Sequence, residues 1–386
     1  MKPIILLVCV LWSLYGYSQD FKQYSSSTLD SIYKYYGVGS LQLFREHYPF
    51  DENYKADYLV TDAEGVNIYS YLWPFSGGLS AQVARYELES DVEIKEHIEK
   101  HVLIGLGNYY DMREPFAYAS YINTAKTSDR FYDDNIWIGI DFVDMYMLTG
   151  DETYLEKGRA IWTFIESGTD DKLGGGIYWC EQRKESKNTC SNAPGSVLAL
   201  KLYQATKENK FLEKGKALYH WTQEHLQDTV DHLYYDNINL QGYVDKTKYS
   251  YNSGQMIQAA SLLYLITGKQ EYKEDAQRVA SASYDFFFDT YHDTDYPRFK
   301  SGNLWFNAIM LRGFIELYHI DGNADYLHTF CKNMEFAWQY MRDGQGLFDT
   351  DWSLQQRGGK KWLLNQFAMV EMQARLAATL DKIEQP

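Results

Sequence analysis

One phrase recurs along this chain and constrains its architecture more than any other feature: an apolar helix ending in Tyr, a tight turn, then a Tyr or Phe opening the next helix. It reads YMLTGDETY from Tyr146, YQATKENKF from Tyr203, YLITGKQEY from Tyr264 and YHIDGNADY from Tyr318, at intervals of 57, 61 and 54 residues. A degenerate copy, YELESDVEI, starts at Tyr86, 60 residues before Tyr146. In SLLYLITG the apolar residues fall at helical spacing, Thr267 and Gly268 end the helix, and EYKEDAQRVASASYDFF resumes a period near 3.6. Glycine suits the left-handed terminus of such a helix, which strains a residue bearing a Cβ. Each unit therefore predicts a helical hairpin, and five phrases plus a final helix around residues 362 to 381 give about six of them.

Six hairpins can stack as an open solenoid or close into a double ring of twelve helices, the all-α (α/α)6 barrel. Solenoid repeats are usually shorter, with uniform loops. Here the connections opposite the TG turns are long and rich in Gly, Trp and Asn: SYLWPFSGGLS, SDRFYDDNIW, DDKLGGGIYWCEQRKESKNTCSNAPG, YSYNSGQ and FKSGNLWFN. They share one phase of the repeat, so a closed ring brings them to a single mouth. Only seven prolines occur and no Pro-, Ser- or Gly-rich linker separates the units, which argues for one domain over residues 19–386.

Residues 1–18, MKPIILLVCVLWSLYGYS, carry one Lys, an apolar run and a small-x-small ending, the form of a secretory signal peptide. Cys9 lies inside the apolar run, where a lipid-anchoring cysteine would not. The expectation is cleavage near Ser18 and Gln19 and an exported, soluble, monomeric protein in the periplasm or at the cell surface. No other stretch is long and apolar enough to span a membrane. The formal net charge of -16 becomes one unit more negative without the leader; such a surface repels nucleic acid and anionic lipid. Cys180 and Cys190 could close a short loop in an oxidising compartment, but with Cys331 the mature count is odd, and free thiols stay open.

Tyr and Trp offer flat apolar faces with a polar edge that stack on sugar rings. The chain holds 35 Tyr and 10 Trp, although most of these must simply fill a large helical core. At the expected mouth, SDRFYDDNIW sets Asp133 beside Asp134. Paired carboxylates perform glycoside hydrolysis when one protonates the leaving oxygen and the other attacks the anomeric carbon or activates water. At a helix start both side chains can face one cleft, exposed N–H groups stabilise a carboxylate, and mutual repulsion keeps one acid protonated. Equally, the pair can cap the helix through IWIGIDFVDMY, since helix starts favour Asp. On the local sequence both readings stand.

The run FYDDNIWIGID, followed by GGGIYW, KNTCSNAPGSVLALKLY and YSYNSGQMIQAASLLYLITG, resembles glycoside hydrolase family 76, the α-1,6-mannanases, in order and spacing. The likeness extends from SYLWPFSGGLS to the last helix. What the resemblance implies is an (α/α)6 barrel that cleaves α-1,6-mannosidic backbones with retention, with Asp133 as nucleophile and Asp134 as general acid/base. Its substrate would be α-mannan or α-manno-oligosaccharides, attacked internally. Tyr71 and Trp73 are candidates to wall the cleft, and Trp137 and Trp179 to line sugar subsites, each with a core role as the alternative. Asn192, Tyr251 and Asn252 lie in motif loops and offer hydrogen bonds to hydroxyls, Asn being also a common cap. The segment LWFNAIMLRGFIELY departs from the family pattern but keeps Arg312, a further candidate for substrate binding. Gly174, Gly175 and Gly176 suggest close backbone approach at the rim.

Other chemistries find little support. There is no HExxH and no histidine pair at ligand spacing near the mouth, so no metal is expected. There is no GxSxG elbow, no GxGxxG after a strand, and no GK[ST] after the triple glycine, so no cofactor is expected. Other enzymes of this barrel type include unsaturated uronyl hydrolases, polysaccharide lyases and sugar epimerases; a lyase or uronyl hydrolase would handle acidic sugars in a basic cleft, against which the acidity of the chain and its few His speak. A mannan transglycosylase would use the same two aspartates, and a non-catalytic glycan-binding protein would use the same aromatic mouth.

Overall fold

The computed structural model describes residues 2–51, 54 and 68–384, with side chains from Ser18 onward apart from Ser40 and the last two of those residues. The side chains of the expected leader, apart from Ser18, therefore lie outside the described residues. Its backbone forms the start of α1 (Lys2–Tyr36), an outer helix. The chain then alternates between two layers: α2 (Leu72–Glu89) inside; α3 (Val92–His97), a π-helical turn and α4 (Leu103–Gly107) outside; α5 (Tyr132–Thr149) inside; α6 (Glu152–Ser167) outside. It continues with α7 (Thr189–Thr206) and α8 (Asn209–Leu226), α9 (Ser250–Thr267) and α10 (Gln270–Phe287), α11 (Leu304–Asp321) and α12 (Asp325–Phe336), and ends on α13 (Leu363–Glu384), inside.

The inner helices pack in the order α2, α5, α7, α9, α11, α13, and α13 returns to α2. The ring is thus closed, as an (α/α)6 barrel requires and a solenoid does not. Inner helices are buried nearly all round through their first three turns, whereas α6, α8 and α10 bury one face only; full burial takes apolar or satisfied residues on every side. The tightest contact in the ring joins α9 to α11. A Cβ on Gly254 would stand 2.5 Å from the Met310 backbone, and one on Gly313 would stand 2.2 Å from the Gly254 carbonyl.

The recurrent phrase forms the turns at the closed end. Ser90, Gly150, Lys207, Gly268 and Gly322 all adopt the left-handed conformation, and each donates its N–H to the tyrosine carbonyl four residues earlier. Glycine fills three of the five; at Ser90 and Lys207 the same geometry is adopted at the cost of a crowded Cβ.

At the open end the loops add a little β structure that helical periodicity does not signal. Ser186–Asn188, Tyr235–Asn239 and Val244–Lys248 form an antiparallel sheet, with Asn188 opposite Asn237. Lys361–Trp362 pairs with His47–Tyr48 and ties the last repeat to the first. Among the described residues no helix is long and apolar enough to cross a membrane.

Candidate active site

All six inner helices point their N-termini at the mouth, so the unpaired N–H groups of their first turns favour negative charge there. The second residue of five of them lines one cavity: Trp73, Asp133, Cys190, Tyr251 and Trp305. Each stands thirteen residues before the tyrosine of its repeat phrase. The sequence periodicity that predicts the hairpins therefore also indexes the site. Applied to the mouth, it would have found Cys190 and Trp305, which motif reading missed.

The Asp133–Asp134 pair is held by the residues around it. Asn135 is fully buried; its amide accepts from the Tyr118 N–H (2.8 Å) and donates to the Tyr118 and Phe131 carbonyls (both 2.9 Å). Arg130, also buried, makes a forked pair with Glu181 at 2.5 and 2.7 Å. The Tyr132 N–H donates to the Trp179 carbonyl at 2.9 Å, which brings the Trp179 indole over the pair. Its Nε1–H donates to Asp133 Oδ2 at 3.1 Å, and the Asp134 backbone N–H donates to Asp133 Oδ1 at 3.0 Å.

Burial pushes both carboxyls up from the ordinary range. For Asp133 the surrounding donors oppose that rise. Asp134 gains no such relief, and the charge of Asp133 pushes it further. The pair is therefore asymmetric: the donors around Asp133 favour charge there, and burial beside that charge disfavours it on Asp134.

The cavity measures about 670 Å³, within the range of small-ligand clefts. Trp137 of α5 meets Trp305 of α11 edge to face, ring centroids 5.1 Å apart, and these helices face each other across the ring. That contact closes the floor. Trp73 touches both Trp305 and Trp362 at 5.2 Å, and Tyr251 stacks on Phe306 at 4.3 Å. Buried Glu46 accepts from the Tyr71 N–H (2.8 Å) and from Trp362 Nε1–H (2.6 Å), joining the walls of the first and last repeats. The three-stranded sheet delivers Asp236 and Asn237 to the rim. Both were missed, because a strand inside a helical repeat leaves no signal at the repeat period. Burial raises the Asp236 carboxyl.

Of the residues expected at the site, Asp133, Asp134, Tyr71, Trp73, Trp137, Trp179 and Tyr251 line the cavity. Three do not. Asn192 is fully buried and repeats the Asn135 device on α7, accepting from the Ile177 N–H (2.6 Å) and donating to the Ile177 and Asn188 carbonyls (2.9 and 2.8 Å). Its hydrogen-bonding capacity is spent on the fold. Asn252 is fully buried one residue beyond Tyr251, and its side-chain amide makes no hydrogen bond among the described residues.

Arg312 sits two turns into α11, about 12 Å below the helix start. There it is buried, donating from Nε to Glu371 at 2.6 Å and facing Asp141 at 3.9 Å, under the tryptophan floor. The triple glycine also serves structure: a Cβ on Gly176 would stand 2.7 Å from the Trp221 ring, so the close approach there is made by tryptophan. Cys180 and Cys190 are free thiols, as is Cys331. No group of three or more metal-ligating side chains occurs among the described residues.

Comparison with known proteins places this geometry in a family. The profile described as "Glycosyl hydrolase family 76" matches residues 42–385. A family 76 glycoside hydrolase from a bovine Bacteroides thetaiotaomicron strain is 36% identical with a TM-score of 0.84, covering 92% of this chain and 77% of its own. The family 76 mannosidase Bt3792 of Bacteroides thetaiotaomicron is 34% identical with a TM-score of 0.85, covering 95% and 100%. An inactive α-1,6-mannanase variant from Salegentibacter sp., with two consecutive aspartates replaced and α-1,6-mannotriose bound, shares the fold at 24% identity and a TM-score of 0.74, covering 93% and 99%. The mannan endo-1,6-α-mannosidase DCW1 of Candida glabrata is 28% identical over 126 residues, a match that spans only 28% of that protein and 30% of this chain. The closed ring, the paired aspartates at the start of one inner helix and the profile match over nearly the whole chain agree: this chain belongs to glycosyl hydrolase family 76.

Proposed function

We propose that this protein hydrolyses α-1,6-mannosidic bonds within the backbone of α-mannan, with retention of configuration. The observation that carries the reading is the aspartate pair in an aromatic cleft, with the Trp179 indole and the Asp134 N–H both donating to Asp133. Asp133, held as a carboxylate by Trp179 and the Asp134 N–H, attacks the anomeric carbon. Asp134, kept protonated by burial and by its neighbour, gives its proton to the departing oxygen. Water then enters, Asp134 takes a proton from it, and the glycosyl ester on Asp133 is cleaved. Consecutive Cα atoms lie about 3.8 Å apart, which suits the roughly 5–5.5 Å carboxyl separation of retaining enzymes better than the wider gap that inverting enzymes need for water.

Neutral sugar chemistry suits the walls, where aromatic faces dominate and, among the described residues, no lysine or arginine lines the cavity. Mannan oligosaccharides are bound by the Salegentibacter relative, which supports the linkage. Two groups of aromatics in the cavity, Trp179 with Phe131 and Trp73 with Trp305, support attack within a chain. The leader-like N-terminus supports action outside the cytoplasm.

The test is to incubate the protein, beside Asp133→Asn and Asp134→Asn, with unbranched α-1,6-mannan. Released sugars are followed by chromatography and the first-formed anomer by proton NMR. A ladder of α-configured oligosaccharides from the unaltered protein, reduced at least about 1,000-fold in either variant, is the expected result. Mannan bound but never cleaved would point to a binding protein, and products longer than the substrate to transglycosylation.

A further inference from the structure

The three-stranded sheet at the mouth has two faces of opposite character. Lys187, Ile238 and Val244 stand opposite one another across its strands. Lys187 and Ile238 are buried, and Ile238 and Val244 pack with Trp221 and Leu226. Side chains alternate between faces along a strand, and directly opposed residues share a face. The other face therefore carries Ser186 and Asn188, then Asn237 and Asn239, then Asp245. Tyr243, one residue before Val244, turns to that same face. Ser186, Asn188 and Asn237 line the cavity that holds the aspartate pair. Asn239, Asp245 and Tyr243 continue the face outward beyond that cavity, and Tyr243 ends it 72% exposed. We infer that this outer half of the sheet face is a distal glycan subsite, where sugar units that extend out of the cavity stack on Tyr243 and hydrogen-bond to Asn239 and Asp245.

The turn at the tip of the sheet fixes that tyrosine in place. The Gly242 N–H donates to the Asn239 carbonyl and the Asn239 N–H to the Tyr243 carbonyl, both at 2.9 Å. Asn239 Oδ1 accepts from the N–H groups of Gln241 (3.0 Å) and Tyr243 (2.9 Å). The Leu240 N–H donates to the Glu185 carbonyl at 3.1 Å, which ties the tip to the first strand. Gly242 makes the turn possible, since its φ of 85° lies in the left-handed region. A platform ordered in advance loses little further freedom when it takes a ligand. Among the described residues no other ring packs on Tyr243, and its hydroxyl has no partner. Asp245 Oδ1 takes both bonds from Thr247, at 3.0 and 2.7 Å, which leaves Oδ2 to accept from a sugar hydroxyl, while the Asn239 side-chain N–H groups are left to donate to one. Strand spacing and rise put Tyr243 about 8 Å from Asn237, so a chain meets it only after leaving the cavity. The occupant is the far end of the same chain, because the face runs without a break from the cavity wall.

The identity of the sugar rests on the proposed reading of the cleft, so binding and turnover are measured apart. Tyr243→Ala and Tyr243→Phe are compared with the unaltered residue in an Asp133→Asn background, by isothermal titration with α-1,6-mannotriose and α-1,6-mannohexaose. Circular dichroism and Tm establish folding. The same two sugars give kcat/KM with Asp133 intact. With Tyr243 in place the hexaose should bind more tightly than the triose. Tyr243→Ala should weaken the hexaose about two- to tenfold, in affinity and in kcat/KM, and narrow the hexaose-to-triose ratio by that factor. Tyr243→Phe keeps the stacking face and should hold the ratio. A ratio that Tyr243→Ala leaves unmoved, or a triose weakened as much as the hexaose, overturns the subsite, while cleavage of both sugars leaves the functional reading intact. Hexaose binding that depends on Tyr243, without cleavage by the unaltered protein, sustains the subsite and overturns only the hydrolase reading. Binding of neither sugar overturns both.

Discussion

Replacing Glu371 by Gln tests whether Arg312 acts on the fold or on the substrate. The Glu371 carboxyl is 1% exposed and accepts from Arg312 Nε at 2.6 Å and Arg375 Nε at 2.7 Å. Burial alone would raise it, but the two guanidinium groups outweigh burial and hold it at about 2. A glutamate depressed from about 4.5 to about 2 contributes about 3 kcal/mol, since each unit is worth about 1.4 kcal/mol. That contribution is complete above the ordinary glutamate range and is lost as pH falls from about 4.5 towards about 2.

Gln keeps the volume but leaves two buried guanidinium groups short of a counter-charge, a change that typically costs about 3 to 5 kcal/mol. The two figures agree on a loss of at least about 3 kcal/mol. In equilibrium urea unfolding at pH 7, followed by tryptophan fluorescence, a slope of about 3 kcal/mol per M puts the midpoint about 1 M lower. Below pH 4 the difference from the unaltered protein should shrink. Because the Trp137–Trp305 contact lies between this cluster and the cleft, kcat/KM of the folded variant should stay within about twofold of the unaltered value. An unchanged midpoint together with a large fall in kcat/KM would refute the placement of Arg312 beneath the floor.

Two more outcomes follow from single contacts. Trp179→Phe keeps the ring against Phe131 but removes the donor to Asp133; the lower apparent pKa of the pair, read from the acid limb of kcat/KM, should rise by about 1 unit, and an unmoved limb would show that the indole only packs. Asn192→Ala leaves the buried Ile177 N–H and C=O without their partner and should cost about 2 to 4 kcal/mol in urea unfolding; full stability with a raised KM would restore Asn192 as a sugar contact.

The sequence by itself determined the repeat, its turns and the position of the acids. These are local matters. A left-handed cap bonding back to a Tyr carbonyl needs only the residues of one turn, so YMLTGD and YLITGK announce it wherever they stand. Asp133 and Asp134 are likewise legible because they open a helix, and the helix start is where loops, exposed N–H groups and the mouth coincide.

Tertiary structure decided which polar residues of the inner helices face sugar. Successive residues turn by roughly 100 degrees on a helix buried on every side. Tyr251 therefore enters the cleft while Asn252 turns into the buried interior, and Asn192, two residues after Cys190, clamps a loop. Arg312 carries the same charge wherever it stands, but two turns of helix place it under the floor among Asp141, Glu371 and Arg375. Asp236 became visible only when the three-stranded sheet brought it to the cavity that Asp133 lines, because a meeting of residues 103 positions apart is made by the closure of the barrel and by no local preference of the chain.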